Sequence, residues 1–313
     1  MINSINFINS LCILLGRTIK SIRQWKKLKE ISKNIPALQK VIVVEYLNEE
    51  PELLDEVSSI RYKDFINCDP EPLYFEQLPF DHPLYIMYSS GTTGLPKSIV
   101  HSAGGTLIQH LKELYFHCDL VREDCIFYFT TCGWMMWNWL VSSLAIGSTI
   151  VQFDGSPFYP DGKELWRLSE QLGITVFGTS AKYIESCKES GIRPLEFTKL
   201  SKLRLILSTG SPLMDESFDY VYQCIKQDVL LGSISGGTDI ISCFALSNPM
   251  LPVTRGELQC KGLGMDVHSY NDQGESIINK KGELVCLSAF PSMPVNFWND
   301  KNNQKYCSAY FET

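Results

Sequence analysis

From residue 84 to residue 234, short apolar runs alternate with longer stretches in which apolar residues recur at helical spacing. The short runs are rich in β-branched and aromatic residues and predict strands, whereas the longer stretches predict amphipathic helices. The predicted strands are 84–89, 125–131, 148–153, 174–177, 203–207 and 229–234. The predicted helices are 102–116, 138–146, 161–172, 181–189 and 215–226. This order predicts an α/β fold with mainly parallel sheets and helices on both faces.

The residues on either side of this region follow other patterns. Helical spacing predicts a helix at 19–35, which Pro36 ends, and a β-branched run predicts a strand at 40–46. The polar, proline-rich residues 48–83 predict a connecting segment. After residue 249, short strands separated by the turn sequences DQG and KKG predict antiparallel β structure, at 256–260, 266–270 and 282–287. We therefore predict an α/β region at 17–248, incomplete at its N-terminal side, and a smaller β-rich segment at 249–313.

Composition and charge exclude several classes of protein. A net charge of -7 argues against a protein that binds nucleic acid or membrane surfaces through clustered cations. The 11 cysteines are scattered without a CxxC pair, which is typical of reduced intracellular thiols rather than of a disulfide framework or a zinc site. No apolar run reaches the roughly 18 residues of a membrane span, and the amino terminus makes a poor signal peptide. We expect a soluble, cytoplasmic (cytosolic) protein without membrane insertion.

Candidate chemistry concentrates in residues 89–97, SSGTTGLPK, directly after a predicted strand. Glycines let backbone N–H groups approach an anion, hydroxyls add hydrogen-bond donors, and Lys97 adds a positive charge, so polyphosphate is the ligand that suits the loop. We expect the loop beyond the carboxyl end of a strand, where open α/β sheets bind ligands. It does not match the P-loop, because Pro96 rather than glycine precedes Lys97. A flexible surface loop is the simpler alternative.

This loop, preceded by Tyr88, resembles the phosphate-loop signature of the AMP-forming acyl-CoA synthetases, members of the adenylate-forming superfamily. The resemblance implies an enzyme that joins a carboxylate to ATP, giving an acyl-adenylate and pyrophosphate, and then transfers the acyl group to a thiol. It implies that the loop binds the β- and γ-phosphates. The residues concerned are Ser89, Ser90, Gly91, Thr92, Thr93, Gly94 and Lys97.

Two later segments are similar to motifs of the same family and follow in the same order. The sequence STGSPL at 208–213 is similar to the segment that lines the adenine, which implies adenine contacts from Gly210, Ser211 and Pro212. The sequence SGGTD at 235–239 implies phosphate contact and a catalytic role for Thr238, beside Lys97, and Mg²⁺ binding by Asp239. Asp239 departs from the family pattern, which has the longer glutamate, but it still offers oxygen to a hard cation. Taken alone, SGGTD also suits a turn with a capping aspartate.

Residues 131–139, TCGWMMWNW, occupy the position of the family's acyl pocket, although a Trp/Met stripe by itself is more often core. The implied pocket residues are Gly133, Trp134, Met135, Asn138, Gly236 and Gly237. Acetyl-specific relatives carry tryptophans where the two later glycines stand, so a longer acid is expected here. The sequences GSISGGTDIISCF and RGELQCKGLGMDV most resemble the acetoacetate-activating members of the superfamily. We hypothesise that Asn138 or a backbone amide donates to the β-keto oxygen.

The resemblance implies ATP, Mg²⁺, coenzyme A and acetoacetate as ligands. The family pattern extends beyond Thr313 to a ribose-binding Gly-Asp and a lid domain with a catalytic lysine, and it begins before Met1. We therefore expect this chain to be a central piece without the lid domain, with negligible thioester formation by itself. A ligase for another short carboxylate, a non-catalytic ATP-binding remnant and, more distantly, a P-loop NTPase stay open. The five histidines suggest no metal cluster, and His101 is interpreted as a packed or capping residue rather than a base.

Overall fold

The chain divides into two compact units, residues 1–76 and 77–313. The computed structural model describes residues 11–15, 22–44, 53–54, 58–67, 72–89 and 96–312. Within these residues each unit has sheets and a hydrophobic core of its own. The predicted division at residue 248 stays a prediction.

The smaller unit contains a parallel sheet in the order β1-β2-β3. Its elements are β1 (Leu11–Leu15), α1 (Ile22–Lys33), β2 (Leu38–Val43), β3 (Ser59–Arg61) and α2 (Tyr62–Phe65). The predicted helix is confirmed over residues 22–33 and the predicted strand over residues 40–43, while residues 19–21, 45 and 46 lie outside the described part. The connecting segment predicted at 48–83 was wrong for β3 and α2, because a strand of three half-buried residues leaves too short a pattern to recognise.

The larger unit begins with an antiparallel hairpin of β4 (Pro83–Ser89) and β5 (Lys97–Ser102). The strand predicted at 84–89 is confirmed, but the pattern gave no sign of β5. The loop of interest therefore joins two antiparallel strands, and the expectation that it follows a parallel strand was wrong. Ser89 and Lys97 are paired at the end of the hairpin where the two strands connect to the loop.

After the hairpin, the chain forms the predicted alternation of helices and strands. A parallel five-stranded sheet has the order β10-β9-β8-β6-β7. Its strands are β6 (Cys125–Tyr128), β7 (Thr149–Val151), β8 (Val176–Ser180), β9 (Leu205–Thr209) and β10 (Leu230–Ser233). The helices are α3 (Ala103–Lys112), α4 (Met135–Ser142), α5 (Glu164–Leu172), α6 (Ala181–Glu189) and α7 (Asp215–Tyr220). Helices α3 and α7 each continue into a π-helical turn, Glu113–His117 and Val221–Ile225.

Side chains alternate between the two faces of this sheet, as strand geometry requires. On one face Phe127, Phe177 and Ile206 pack against α5, α6 and α7, with Trp166 stacked on Phe177 at a ring separation of 4.7 Å. On the other face Ile126, Val176 and Leu205 pack against α4 and against Leu114 in the π-helical turn that follows α3. The α/β class with helices on both faces is therefore confirmed.

Antiparallel strands occupy the rest of the chain and start before the predicted position. They are β11 (Ser235–Gly237), β12 (Ser242–Leu246), β13 (Cys260–Lys261), β14 (Val267–Tyr270), β15 (Ser276–Ile277), β16 (Glu283–Cys286) and β17 (Asn296–Phe297), followed by α8 (Gln304–Tyr310). Strand β17 pairs with β5 of the hairpin. The strands expected at 266–270 and 282–287 are confirmed, whereas 256–260 is mostly a turn that leads into β13. Across the described ranges, the helices are too short or too polar to cross a bilayer.

A carboxylate ties the loops at the amino-terminal end of the parallel sheet together. Asp124 is largely buried and accepts hydrogen bonds from the Arg204 guanidinium, whose other donors reach the carbonyls of Cys118 and Asp119. Burial raises the pKa of Asp124, but the hydrogen bonds from Arg204, Thr175 and the Val121 amide outweigh it, so the pKa lies below its usual value.

We predict that Asp124→Asn lowers the free energy of unfolding at pH 7 by about 1–3 kcal/mol, because a paired carboxylate is lost. A carboxylate whose pKa is lowered in the folded state stabilises the fold above its unfolded-state pKa of about 4. This contribution to stability is lost as the pH falls. The difference in the free energy of unfolding between Asp124→Asn and the unaltered chain, measured by urea unfolding, should therefore be smaller at pH 3 than at pH 7. The control is Asp161→Asn, which removes an exposed carboxylate and should matter much less. Equal effects of the two substitutions would contradict this assignment.

Candidate functional site

A cleft of about 570 Å³ opens at the carboxyl ends of β6, β8, β9 and β10. Strands β7 and β8 lie on opposite sides of β6, so the direction of the strand order changes there. The crevice outside such a change is where open α/β sheets bind ligands. Tyr128 and Phe129 line it at the end of β6, and Thr179 and Ser180 line it at the end of β8.

The structure brings the three predicted adenine residues, four of the six predicted acyl-pocket residues and Thr238 to this cleft. The lining includes Gly210, Ser211 and Pro212 after β9, Trp134 and Met135 at the start of α4, and Gly236, Gly237 and Thr238 around β11. Part of the lining is therefore a turn of small residues, and another part carries apolar side chains. Such a mixture of backbone-rich and apolar surface suits a ligand with a planar polar part and a short apolar part.

Two of the predicted acyl-pocket residues lie outside this lining. Gly133 is exposed in the turn before α4. Asn138 is 3% exposed, and its Nδ2 atom lies 3.4 Å from the Met87 sulfur. The geometry gives Asn138 a packing role between α4 and β4, and its hypothesised hydrogen bond to the acyl chain stays a prediction.

The two neighbouring glycines, Gly236 and Gly237, have different surroundings. A Cβ atom on Gly236 would lie 2.1 Å from the Ser242 carbonyl oxygen, because β11 and β12 approach closely there. A Cβ atom on Gly237 would meet nothing within 4 Å, although Gly237 lines the cleft. Both glycines line the cleft, and of the two only Gly237 faces open space. That they enlarge the acyl pocket stays a prediction.

The predicted phosphate loop is anchored at both ends by the hairpin. Ser89 ends β4 and Lys97 begins β5, and the two residues face each other. Ser90, Gly91, Thr92, Thr93 and Gly94 lie outside the described residues. Their phosphate contacts stay a prediction that rests on the resemblance.

Lys97, Asp239 and Tyr310 meet beside Thr238. The Lys97 Nζ atom lies 3.5 Å from Asp239 Oδ1 and 4.8 Å from the centre of the Tyr310 ring. The Tyr310 hydroxyl donates to the same Asp239 oxygen at 2.5 Å. Burial, followed by this hydrogen bond to a carboxylate, raises the pKa of Tyr310, so the hydroxyl keeps its proton at neutral pH. The structure thus brings Asp239 together with Tyr310, 71 positions away in the sequence, and with Lys97, 142 positions away.

The family of AMP-binding enzymes matches the chain over residues 9–289, which is most of its length. The chain belongs to this family. The resemblance inferred from the phosphate loop is therefore confirmed.

Relatives of this AMP-binding enzyme carry a more specific description. The acetoacetyl-coenzyme A synthetase of Rhizobium meliloti (strain 1021) is 54% identical over 288 residues, which are 91% of this chain and 44% of the relative. The acetoacetyl-CoA synthetase of Danio rerio is 52% identical, over 92% of this chain and 44% of the relative. A solved structure, acetoacetyl-CoA synthetase from Streptomyces lividans, matches with a TM-score of 0.85 and 44% identity, over 93% of this chain and 45% of that one. The chain spans less than half the length of these relatives.

A row of buried polar side chains holds the segment that contains Thr238 and Asp239 in this AMP-binding enzyme. His101 of β5 bonds through Nε2 to the Thr238 carbonyl at 2.9 Å, and His110 of α3 bonds to the Ile241 carbonyl at 2.6 Å. His117, in the π-helical turn, bonds to the Ser247 carbonyl at 2.8 Å. Burial lowers the pKa of His101 to about 4, so the imidazole is neutral at pH 7. His101 is thus packed against the site, as expected, and fixes its backbone.

Glu113 joins three elements behind the cleft. Its side chain has no exposed surface, and it accepts hydrogen bonds from Trp139 Nε1 at 2.9 Å, from the Cys243 amide at 3.2 Å and from the Ser242 hydroxyl. The Lys112 ammonium lies 3.5 Å away. The carboxylate therefore connects α3 to α4, which supplies cleft residues, and to β12, which follows Asp239.

Sequence reasoning missed several of these residues. Glu113 and His110 carried a weak signal, since these polar residues fell among the apolar positions of a predicted amphipathic helix. Tyr310 carried none, because its partners Asp239 and Lys97 are remote in the chain. A histidine or glutamate on the core side of a helix is a sign of a buried polar network.

We predict that Glu113→Ala lowers the free energy of unfolding by about 3 kcal/mol or more, because the donors of Trp139, Ser242 and Cys243 lose their acceptor inside the core. Urea unfolding followed by fluorescence measures the loss.

The control is Glu123→Ala, which removes an exposed carboxylate from a loop and should change stability within about 0.5 kcal/mol. Equal stability of Glu113→Ala and the unaltered chain would show that the carboxylate does not hold these elements together.

Proposed function

We propose that this chain serves the ATP-dependent activation of acetoacetate. In this reaction the acid attacks the α-phosphate of ATP, acetoacetyl-adenylate forms and pyrophosphate leaves, and the acyl group then passes to coenzyme A with release of AMP. The observation that carries the proposal is the position of Lys97 and Asp239, 3.5 Å apart at the mouth of the glycine-rich hairpin and next to the cleft residue Thr238. The identity of the acid in this proposal comes from the named relatives, which are described as acetoacetyl-CoA synthetases.

Recognition of the triphosphate rests on the hairpin. Lys97 is 31% exposed, so its ammonium group is available to a phosphate, and antiparallel pairing fixes its backbone opposite Ser89. Phosphate oxygens carry more negative charge than the single carboxylate that Lys97 now contacts, so a bound triphosphate competes for the ammonium group. We assign Ser89 to Gly94 to the same phosphates, with Thr238 as a further hydroxyl donor.

Recognition of the adenine rests on the turn after β9. Gly210, Ser211 and Pro212 form one wall of the cleft, and a wall of small residues lets a flat base approach the backbone closely. The acid is assigned to the part of the cleft between Trp134, Met135 and Gly237.

Magnesium fits the donors at this site. Asp239 is 40% exposed and offers carboxylate oxygen, and Mg²⁺ is usually held by one or two carboxylates together with substrate phosphates. Within the described residues, no three His, Cys, Asp or Glu side chains gather into a metal centre. When bound beside Asp239, the ion would supply positive charge to the phosphates.

In this proposal the protein's own groups position the substrates and stabilise developing charge, and they do not transfer protons. A carboxylate is already a nucleophile, so adenylation needs no general base, and His101 is buried, neutral and occupied by the Thr238 carbonyl. Lys97 and Thr238 would stabilise charge that develops on the phosphates. Coenzyme A as the acyl acceptor and a cytosolic location are parts of the proposal that rest on the resemblance and on cysteine usage.

We expect Lys97→Ala to weaken ATP binding about 10- to 100-fold, because a charged hydrogen bond to phosphate contributes about 1.5–3 kcal/mol. Calorimetric titration of the chain with ATP measures this, and Lys281→Ala, which removes an exposed lysine from a turn of the β-rich segment, is the control. Unchanged affinity in Lys97→Ala would refute the phosphate role.

Pyrophosphate exchange, measured on a form of the protein extended to the length of its relatives, separates the rival functions. Exchange that depends on acetoacetate supports the proposal, and exchange with another short acid alone supports a different ligase. ATP binding without exchange supports a non-catalytic ATP-binding protein.

We also predict that a Gly237→Ala, Leu, Trp series progressively shifts the preference of the cleft from acetoacetate towards acetate. The added side chain enters open space that lines the cleft, and a methylene-sized change in such a pocket is worth roughly 10- to 200-fold in discrimination. Titration with each acid, in the presence of a non-hydrolysable ATP analogue, measures the ratio of affinities. A ratio that is constant through the series would place the acid elsewhere.

A further inference from the structure

Tyr310 is the one residue of the Lys97–Asp239 cluster with no role in the proposed function. Its hydroxyl donates to Asp239 Oδ1 at 2.5 Å, and its ring lies 4.8 Å from the Lys97 ammonium. A single side chain therefore contacts both charged residues of the site. We propose that Tyr310 is a positioning residue that holds the Asp239 carboxylate in the orientation that binds the magnesium ion of ATP. This inference rests on the proposed function.

The fold presents Tyr310 from a helix that is distant in sequence from the segment carrying Asp239. Helix α8 ends with Tyr310, and Asp300 accepts hydrogen bonds from the amides of Lys305 and Tyr306 in its first turn, at 3.1 and 2.9 Å. The rings of Tyr306 and Tyr310 pack on Phe297 of β17, with separations of 5.6 and 5.7 Å. These contacts fix the direction of the Tyr310 ring.

Strand β17 links this helix to the lysine. It pairs with β5 through Phe297 and Ile99, and β5 begins at Lys97. The Trp298 amide donates to the Ser98 carbonyl at 2.8 Å, which extends the link to the residue next to the lysine. Tyr310 and Lys97 are therefore carried by one sheet, while the His101 bond to the Thr238 carbonyl ties the segment before Asp239 to the same strand.

The hydroxyl leaves the carboxylate able to bind a cation. Both Tyr310 and Lys97 contact Oδ1, so neither contact occupies Oδ2, and the Asp239 side chain is 40% exposed. A neutral donor on one oxygen fixes the orientation of a carboxylate without cancelling its charge. Hydrogen-bond partners of this kind typically contribute 10- to 100-fold to metal affinity.

The test uses the full 313-residue chain and compares its affinity for ATP in excess Mg²⁺ and in EDTA, by calorimetric titration. The ratio of the two dissociation constants measures the contribution of magnesium. We expect Tyr310→Phe to lower this ratio about 10-fold while the affinity in EDTA changes little, because the ring and its contact with Lys97 remain. The matched control is Tyr306→Phe, the same change in the same aromatic cluster, which should leave the ratio unaltered.

A double-mutant cycle with Asp239→Asn identifies the pathway. If Tyr310 acts through Asp239, then Tyr310→Phe has no further effect on the magnesium contribution in the Asp239→Asn background. Additive losses, or a Tyr310→Phe chain with the unaltered ratio, overturn the inference. A loss of unfolding temperature with an unchanged ratio also overturns it, because the residue would then be structural only. Magnesium-dependent ATP binding by the unaltered chain upholds the ATP site on which the proposed function rests in each of these cases, whereas no ATP binding at all refutes both.

Discussion

The structure depends on the burial of one carboxylate. Glu113 has no exposed surface, and leaving a charge of this kind without partners inside a core would cost several kcal/mol. The fold meets that constraint by directing Trp139, Ser242 and the Cys243 amide at it, with Lys112 alongside. These partners belong to a cleft helix and to the strand after Asp239, so the position of the site follows from satisfying the charge. The neutral histidines on either side extend the same support along the chain.

The site is assembled where two kinds of sheet meet. The parallel sheet contributes strand ends and small turns, which form the walls of the cleft, and the antiparallel hairpin contributes the cation. Neither sheet alone holds all of the predicted groups. Thr238 and Asp239 lie at the junction: the first lines the cleft and the second contacts Lys97. This arrangement explains why the short sequence SGGTD receives contacts from both His101 and Lys97 of β5.

Local patterns predicted the parallel half of the fold well, because each strand there is a buried apolar run and each helix has a clear stripe. Helix α6 was predicted with its exact bounds for this reason, and Gly173 closes α5 with a left-handed backbone. Strand β5 was missed because its KSIVHS sequence mixes polar and apolar residues that are buried by partners distant in the chain. The same difference between local and distant contacts applies to the residues of the candidate site. Motif residues were found by their spacing, whereas Tyr310 and Glu113 matter through contacts that no local pattern encodes.

The strengths of the contacts in the site differ in a way that suits ligand exchange. The Lys97–Asp239 pair is 31% and 40% exposed, and ion pairs of this exposure are worth about 1 kcal/mol or less. Separating it to admit a triphosphate therefore costs little. The backbone beneath it is held by buried hydrogen bonds such as that of His101, which a ligand does not reach and which stay in place during binding. Weakly paired charges on a rigid support can change partners without a rearrangement of the fold, and that is the property a nucleotide site requires.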